Sequence, residues 1–441
     1  MATTLGFHII LACLGIALPS IVLLAEFIGL RRRDEMAMRL ARRWSQAMGV
    51  LIAVGAVTGT VLSFEMGLLW PGLMGRYGAV LGFPFSIEGI FFFLEAIFAG
   101  IYLWGWGRLP GWGHFWSGVP IAVSGILGGM SVIAVNSWMN QPNGFTENNG
   151  AITSISAWQV FFNHAAVYEM PHMILAAYMV TGFVVAGVYA AGILRGRRDR
   201  YHYTGFALGF VPAAILTPFQ IFVGDVAARA IAHDQPVKFA SMEYVEQTST
   251  HVPEWVGGVY VNRHIYGGLR IPDLDSLLVG FRPGTRVIGW DSVPPADRPP
   301  VVWLIHLCFD VMVGLGTLLL LAGLWALVMW WRRRRLPRQR LFWLFGAVGG
   351  VAAVVAMECG WVVTEVGRQP WVVYRLMTTA EAATTNGGVV TSLSLVIVVY
   401  AVLGAATIAI LRMLARRWRR SETLQAAVPY GPPAVTDRAE S

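Results

Sequence analysis

Apolar residues dominate nine stretches of the chain, at about 5–30, 47–69, 85–106, 116–138, 168–194, 205–223, 301–331, 341–363 and 388–412. Crossing a bilayer core takes about 20 residues of helix, so each stretch predicts a transmembrane helix. The fold class is therefore all-α, a polytopic helical bundle of about nine spans. The longest interruption, 224–300, is rich in proline, glycine and charge. The pattern thus divides the chain into helices one to six (1–223), a long polar loop (224–300), helices seven to nine (301–412) and a basic tail (413–441). The first run, Leu5 to Leu30, lacks a basic leader and exceeds the length of a signal-peptide core, so it reads as a span that stays. No internal repeat lies in register, which weakens an inverted-repeat transporter reading.

Composition agrees. Of 441 residues 56% are hydrophobic and 13% charged, with a mean hydropathy of +0.58. A soluble domain carries about 25% charged residues, so a soluble globular surface is excluded, and so is a disordered chain. The net charge of +8 comes from 33 basic residues, of which Lys238 is the single lysine. The connections 31–46, 107–115, 195–204 and 332–340, with the tail from 412, hold 23 of the 33. Short loops with excess arginine face the cytoplasm. The N-terminus and the 224–300 loop are thus expected outside, and the C-terminus in the cytoplasm. The Arg332–Arg335 run reads as an orientation signal, not a nucleic-acid patch. Cys13, Cys308 and Cys359 lie in apolar runs without any CxxC spacing, which signals neither zinc nor covalent haem.

Charged and imidazole side chains inside such spans cost about 2.5–3.5 kcal/mol on insertion scales and mark sites. Here they are His8, Glu26, Glu65, Glu88, Glu95, His172, His306, Asp310, Glu358 and Glu365. By topology several gather in the outer half of the bundle, where Met312 sits about 16 Å down the seventh span at about 1.5 Å per residue. A His/Met pair from separate helices is one known low-spin haem ligand set, although a lone buried histidine is more often simply hydrogen-bonded and a lone methionine core filler. Glu88 and Glu95, seven apart, share one helix face. They suit a proton ladder, or equally two carboxyls neutralised by burial.

Certain motifs carry a resemblance. Gly360-Trp361, Glu365 and Gly367-Arg368-Gln369-Pro370-Trp371 resemble the GWxxxExGRQPW signature of the cytochrome bd-type quinol oxidase, subunit I. Ile87-Glu88-Gly89 with Phe93-Leu94-Glu95 is similar to that family's third span, and Asn136-Ser137-Trp138-Met139 to its fourth. Val223-Gly224-Asp225, Gln235-Pro236-Val237-Lys238 and Glu243 resemble its quinol-binding loop, in the short-loop branch. Phe309-Asp310-Val311-Met312-Val313-Gly314 resembles its seventh span, and the likeness runs over nearly the whole chain.

The resemblance implies a subunit of a terminal respiratory oxidase in the bacterial cell membrane, oxidising quinol outside and reducing dioxygen to water with cytoplasmic protons. It implies a low-spin haem b on His172 and Met312, a high-spin haem b, and haem d or a further haem b in its place. His8 and Glu365 would ligate the two high-spin irons, with Glu88 a further ligand or proton donor. Lys238 and Glu243 would contact or deprotonate quinol, and Glu95 would feed protons toward Glu88. Arg368 would balance haem propionates or Glu365, beside Gln369 and Trp371 of the same motif. A second large subunit is expected, with room for small accessory ones, membrane lipid around the bundle and no nucleic-acid partner. Two features depart from the family: Asp310 stands where it often has arginine, and only seven residues precede His8. A haem-free ion or proton transporter and a variant lacking haem d remain as rival readings.

Overall fold

The computed structural model describes residues 1–148 and 150–419. Among them nine helices of 28 to 35 residues are long and apolar enough to cross a membrane, and the chain is a multi-pass membrane protein. In order they are Ala2–Arg32, Glu35–Leu69, Pro71–Gly105, Gly111–Asn140, Ala166–Leu194, Arg200–Asp234, Val302–Arg333, Arg340–Gly367 and Val389–Arg419, hereafter the first to ninth spans. The end of the predicted tail, 420–441, lies outside the described residues.

The helices extend beyond their apolar stretches wherever local chemistry allows. The third span starts at Pro71, not near 85, and only Trp70 separates it from the second. Proline suits a first helical turn, where its missing N–H would be unpaired anyway. The sixth span continues past Val223 to Asp234 because Ala227, Ala228, Arg229 and Ala230 favour helix and Arg229 pairs with Asp225 one turn back. The polar loop proper therefore begins at Gln235. Asp34 and Asp199 start the second and sixth spans by accepting bonds from the otherwise unpaired N–H groups of Met36 and His202, each at 2.9 Å.

The first four spans pack on one another, as do the fifth to eighth, and the fifth joins the two groups by lying against the first and fourth. The ninth packs on the second. In a membrane, helices associate through close backbone approach at small residues. Gly350 of the eighth span shows this, since a Cβ there would stand 2.7 Å from the Cα of Val184 in the fifth.

One end of the bundle collects the arginine-rich connections. The other, the loop end, carries three caps. A hairpin pairs Phe145–Asn148 with Ala151–Ile155, and a small ribbon pairs Trp371–Val373 with Met377–Thr378. The loop from Gln235 holds the short helix Pro236–Glu243, two two-stranded ribbons and the helix Leu274–Gly280. It has its own core, including Phe239, Tyr244, Val252, Val287 and Trp290, so it is a packed cap and not a slack connection.

Candidate haem and quinol site

His8 sits near the loop end of the first span. Its Nδ1 lies 2.8 Å from Thr58 Oγ1 of the second span, and that hydroxyl also lies 3.1 Å from the Val54 carbonyl. One ring nitrogen is thus engaged by protein while Nε2 is left for another partner, the usual state of a metal-ligating histidine. His172 and Met312 enter from the fifth and seventh spans, His172 beside Gln220 and Gly224 of the sixth, Met312 against the eighth. A Cβ at Gly360 would stand 3.0 Å from Met312 Sδ, so glycine there makes the seat for the thioether. Each of the three is half-buried, within reach of a further group. By contrast, Glu26 and His114, near the arginine end, are covered and saturated: Glu26 accepts from Tyr102 Oη at 2.7 Å and meets His114 Nδ1 at 2.7 Å.

Glu365 ends the eighth span and is held from both sides. Asn136 Nδ2 donates to Oε1 at 2.7 Å, and Arg368 Nη2 donates to Oε2 at 2.8 Å. The fourth-span Asn136 also accepts from Asn140 Nδ2 at 3.1 Å, and that amide reaches Glu169 Oε1 at 2.8 Å. On its other side Asn140 receives Gln235 Nε2 at 3.2 Å and Lys238 Nζ at 3.4 Å through Oδ1. A continuous hydrogen-bonded chain therefore runs from the loop helix Pro236–Glu243 to Glu365 and Arg368. Lys238 is buried, and burial pushes its ammonium down to about 8, with Glu169 and Glu365 pulling back and Arg368 adding to the fall. Arg368 is buried too, and its Nε and Nη1 lack partners. Both cations, with Gln369, Trp371, Tyr374 and Arg375, line a cavity of about 240 Å³. A buried guanidinium with unpaired N–H groups suits an anionic group, so the donor set fits haem: His, Met and Glu side chains from separate helices, and cations suited to propionates. Gln369 itself is engaged, its Oε1 accepting from Thr379 at 2.8 Å.

Lys238 and Glu243 are both buried, not a solvated surface pair. They do not share a face of their helix: five residues place them about 140° apart. Glu243 looks away from the Asn140 chain toward Asp275, Glu254 and Asp310, and burial together with these carboxylates pushes its carboxyl well up. Glu88 and Glu95 are half-buried on the third span, with Glu95 directed at Gly125 of the fourth. Sequence reasoning missed Asn140, Glu169 and Asp275. Asn140 had a signal, since it stands one turn from Asn136 at the end of an apolar helix. Asp275 had none, because a carboxylate in a polar loop attracts no notice until the fold buries it. Among the described residues no three His, Cys, Asp or Glu side chains cluster as a metal site.

Known proteins share this architecture. The family model described as cytochrome bd terminal oxidase subunit I matches residues 1–418. A Bacillus subtilis (strain 168) protein provisionally named cytochrome bd menaquinol oxidase subunit I is 33% identical over 433 residues, 96% of this chain and 97% of the relative. A second B. subtilis protein, cytochrome bd ubiquinol oxidase subunit 1, is 28% identical over 92% of this chain and 89% of its own. The solved bd oxidase of Geobacillus thermodenitrificans superposes with a TM-score of 0.88 at 34% identity, covering 94% of this chain and 96% of that one. This chain belongs to the cytochrome bd terminal oxidase subunit I family.

Proposed function

We propose that the chain is the haem-bearing subunit of a quinol:oxygen oxidoreductase in a bacterial cell membrane, with the loop end outside and the arginine end in the cytoplasm. His172 and Met312 hold a low-spin haem b, His8 and Glu365 the two high-spin haems, with Glu88 beside the first. The haems supply electron transfer and dioxygen reduction. The protein orients them and governs protons. Thr58 fixes the His8 ring, Asn136 fixes the Glu365 carboxylate, and Arg368 supplies positive charge to Glu365 and to propionates. Quinol docks under the loop helix, where Glu243 takes its proton, and Lys238 on the opposite face joins the docking site to the Glu365 network. Glu95 and Glu88 lead cytoplasmic protons inward along one helix face. A second large subunit completes the complex.

The observation that carries this reading is the hydrogen-bonded chain from Lys238 through Asn140 and Asn136 to Glu365 and Arg368. It ties the loop to the motif of the eighth span, which a transporter would not require. The test is a dithionite-reduced minus air-oxidised spectrum of the purified complex, with extraction to type the haems. Bands of b and d haems are expected. Bands of b alone identify the variant without d, and a flat spectrum from folded protein overturns the reading. Met312→Leu and His172→Ala are each expected to remove the low-spin b band while the other haem bands persist.

A further inference from the structure

The second face of the loop helix raises a question that the quinol-oxidase reading leaves open: where the proton on Glu243 goes next. Glu243 is 4% exposed and its Oε2 has no hydrogen-bond partner. Asp275, in the first turn of Leu274–Gly280, is fully buried, and neither of its oxygens has a partner. The charged neighbours acting on both are carboxylates, Glu254 of the ribbon strand Glu254–Val256 and Asp310 of the seventh span. Asp310 is already held: it accepts from the Gly257 N–H and lies 3.2 Å from His306 Nε2. His306 is pinned by contacts of its ring nitrogens with the carbonyls of Met242 and Gly257, and the Tyr244 ring stacks on it at 3.8 Å. No guanidinium or ammonium forms an ion pair with Glu243 or Asp275 among the described residues.

Two unpaired carboxylates cannot both stay ionised in such a place, because burying an isolated charge is far costlier than holding a proton. The pair is built to carry one. Glu254, whose charge acts on both, is only half-buried and so in reach of water. We propose that Asp275 is the next proton acceptor after Glu243, so that this buried carboxyl pair takes the protons of quinol oxidation and passes them by way of Glu254 to water outside.

The inference rests on the quinol-oxidase reading. Per quinol, two O–H bonds break, two protons cross the pair in turn, two electrons go to dioxygen through the oxidase reaction, and quinone leaves. Burial first, then the charges of Glu254 and Asp310, push the Asp275 carboxyl up to about 9, so Asp275 passes its resident proton on to Glu254 before it takes the one held by Glu243.

The test uses the intact oxidase complex carrying Asp275→Asn. Its reduced-minus-oxidised spectrum is expected to match the wild type, which keeps failure of this inference apart from failure of the oxidase reading. The turnover number should fall by about tenfold, less than the ~10²-fold or more expected from loss of a positioned base itself, with little change in KM. Asp275→Glu should restore turnover. Independently of turnover, the infrared band of the protonated Asp275 carboxyl should vanish in Asp275→Asn, while Glu243, raised first by its own burial, keeps its band. Turnover within twofold of wild type, or carboxyl bands unchanged in Asp275→Asn, would overturn the proposal. Should Asp275→Asn fail to assemble, the pH titration of that band in the wild type decides: a band that titrates near neutral or alkaline pH supports the pair, and its absence sinks it.

Discussion

The short helix Pro236–Glu243 presents two faces of opposite character. On one, Lys238 joins a chain of amides and carboxylates that satisfies most of its members: Asn140, Asn136, Glu169, Glu365 and Arg368. On the other, Oε2 of Glu243 and both oxygens of Asp275 have no partner, and Asp275 acts on Glu243 only through its charge. A buried network that closes on itself fixes geometry, and one left open holds mobile protons or a labile charge. The contrast teaches that one element of the loop can position with one side and transfer with the other. The Glu26–His114–Tyr102 cluster is a fully closed example within the same chain.

If the closed face is structural, cutting it at its ion pair should have the largest effect on stability. Glu365→Ala leaves the Arg368 guanidinium, whose side chain is 1% exposed, without its ion-pair partner. Removing one partner of a buried pair costs about 3–5 kcal/mol. Arg368→Ala should cost less, because the Glu365 side chain keeps 29% of its surface open. Replacing both by leucine and methionine should recover most of the loss. Thermal melts of the detergent-solubilised complex measure all three. Equal losses for the two single variants would remove the asymmetry on which the comparison depends.

An intermediate effect is expected at Asn140, the hub of the chain. Asn140→Ala strips one hydrogen bond each from Glu169, Asn136, Gln235 and Lys238. Each buried group left unpaired costs about 1–3 kcal/mol, and Gln235 keeps its second bond to the Asn140 backbone carbonyl at 2.8 Å. The melt should therefore drop, and by less than for Glu365→Ala. The Glu243–Asp275 carboxyl band should remain, since that face shares no bond with Asn140. A band that shifts in Asn140→Ala would mean the two faces act as one.

Much of this was legible from residue order alone. The nine apolar stretches gave nine spans, because hydrocarbon thickness sets a length that composition cannot disguise. The motif from Gly360 to Trp371 and the lone Lys238 pointed to the two places that the hydrogen-bonded chain connects. The connection itself was hidden. It depends on Asn140 and Glu169 meeting across the fourth and fifth spans, which periodicity does not specify. The separation of Lys238 from Glu243 follows from helical rotation, but only once 236–243 is known to be helix and not irregular loop. The burial of Asp275 comes from the packing of the loop around Tyr244, Val252 and Trp290, and a polar composition announces nothing of the kind.

The smallest stability change is expected at Lys238, and its sign is the sharpest check on the closed face. Lys238 forms no ion pair within contact distance among the described residues, and burial opposes its charge first of all, so Lys238→Met should leave the melt nearly unchanged or slightly raised near pH 7. The folded ammonium titrates at about 8 against an ordinary 10.5. Between those values the unfolded chain holds more protons than the folded one, so the contribution of Lys238 to stability is lowest below about 8 and improves as pH rises toward 10.5. Lys238→Met lacks this gain, and the stability difference between variant and wild type should fall as pH rises through that window. Quinol turnover in the same variant should drop while the haem spectrum stays intact, because the lysine would matter to the docking site and not to the fold. A stability loss comparable to that of Glu365→Ala would show instead that Lys238 is a structural cation. The loop helix would then have one working face, that of Glu243.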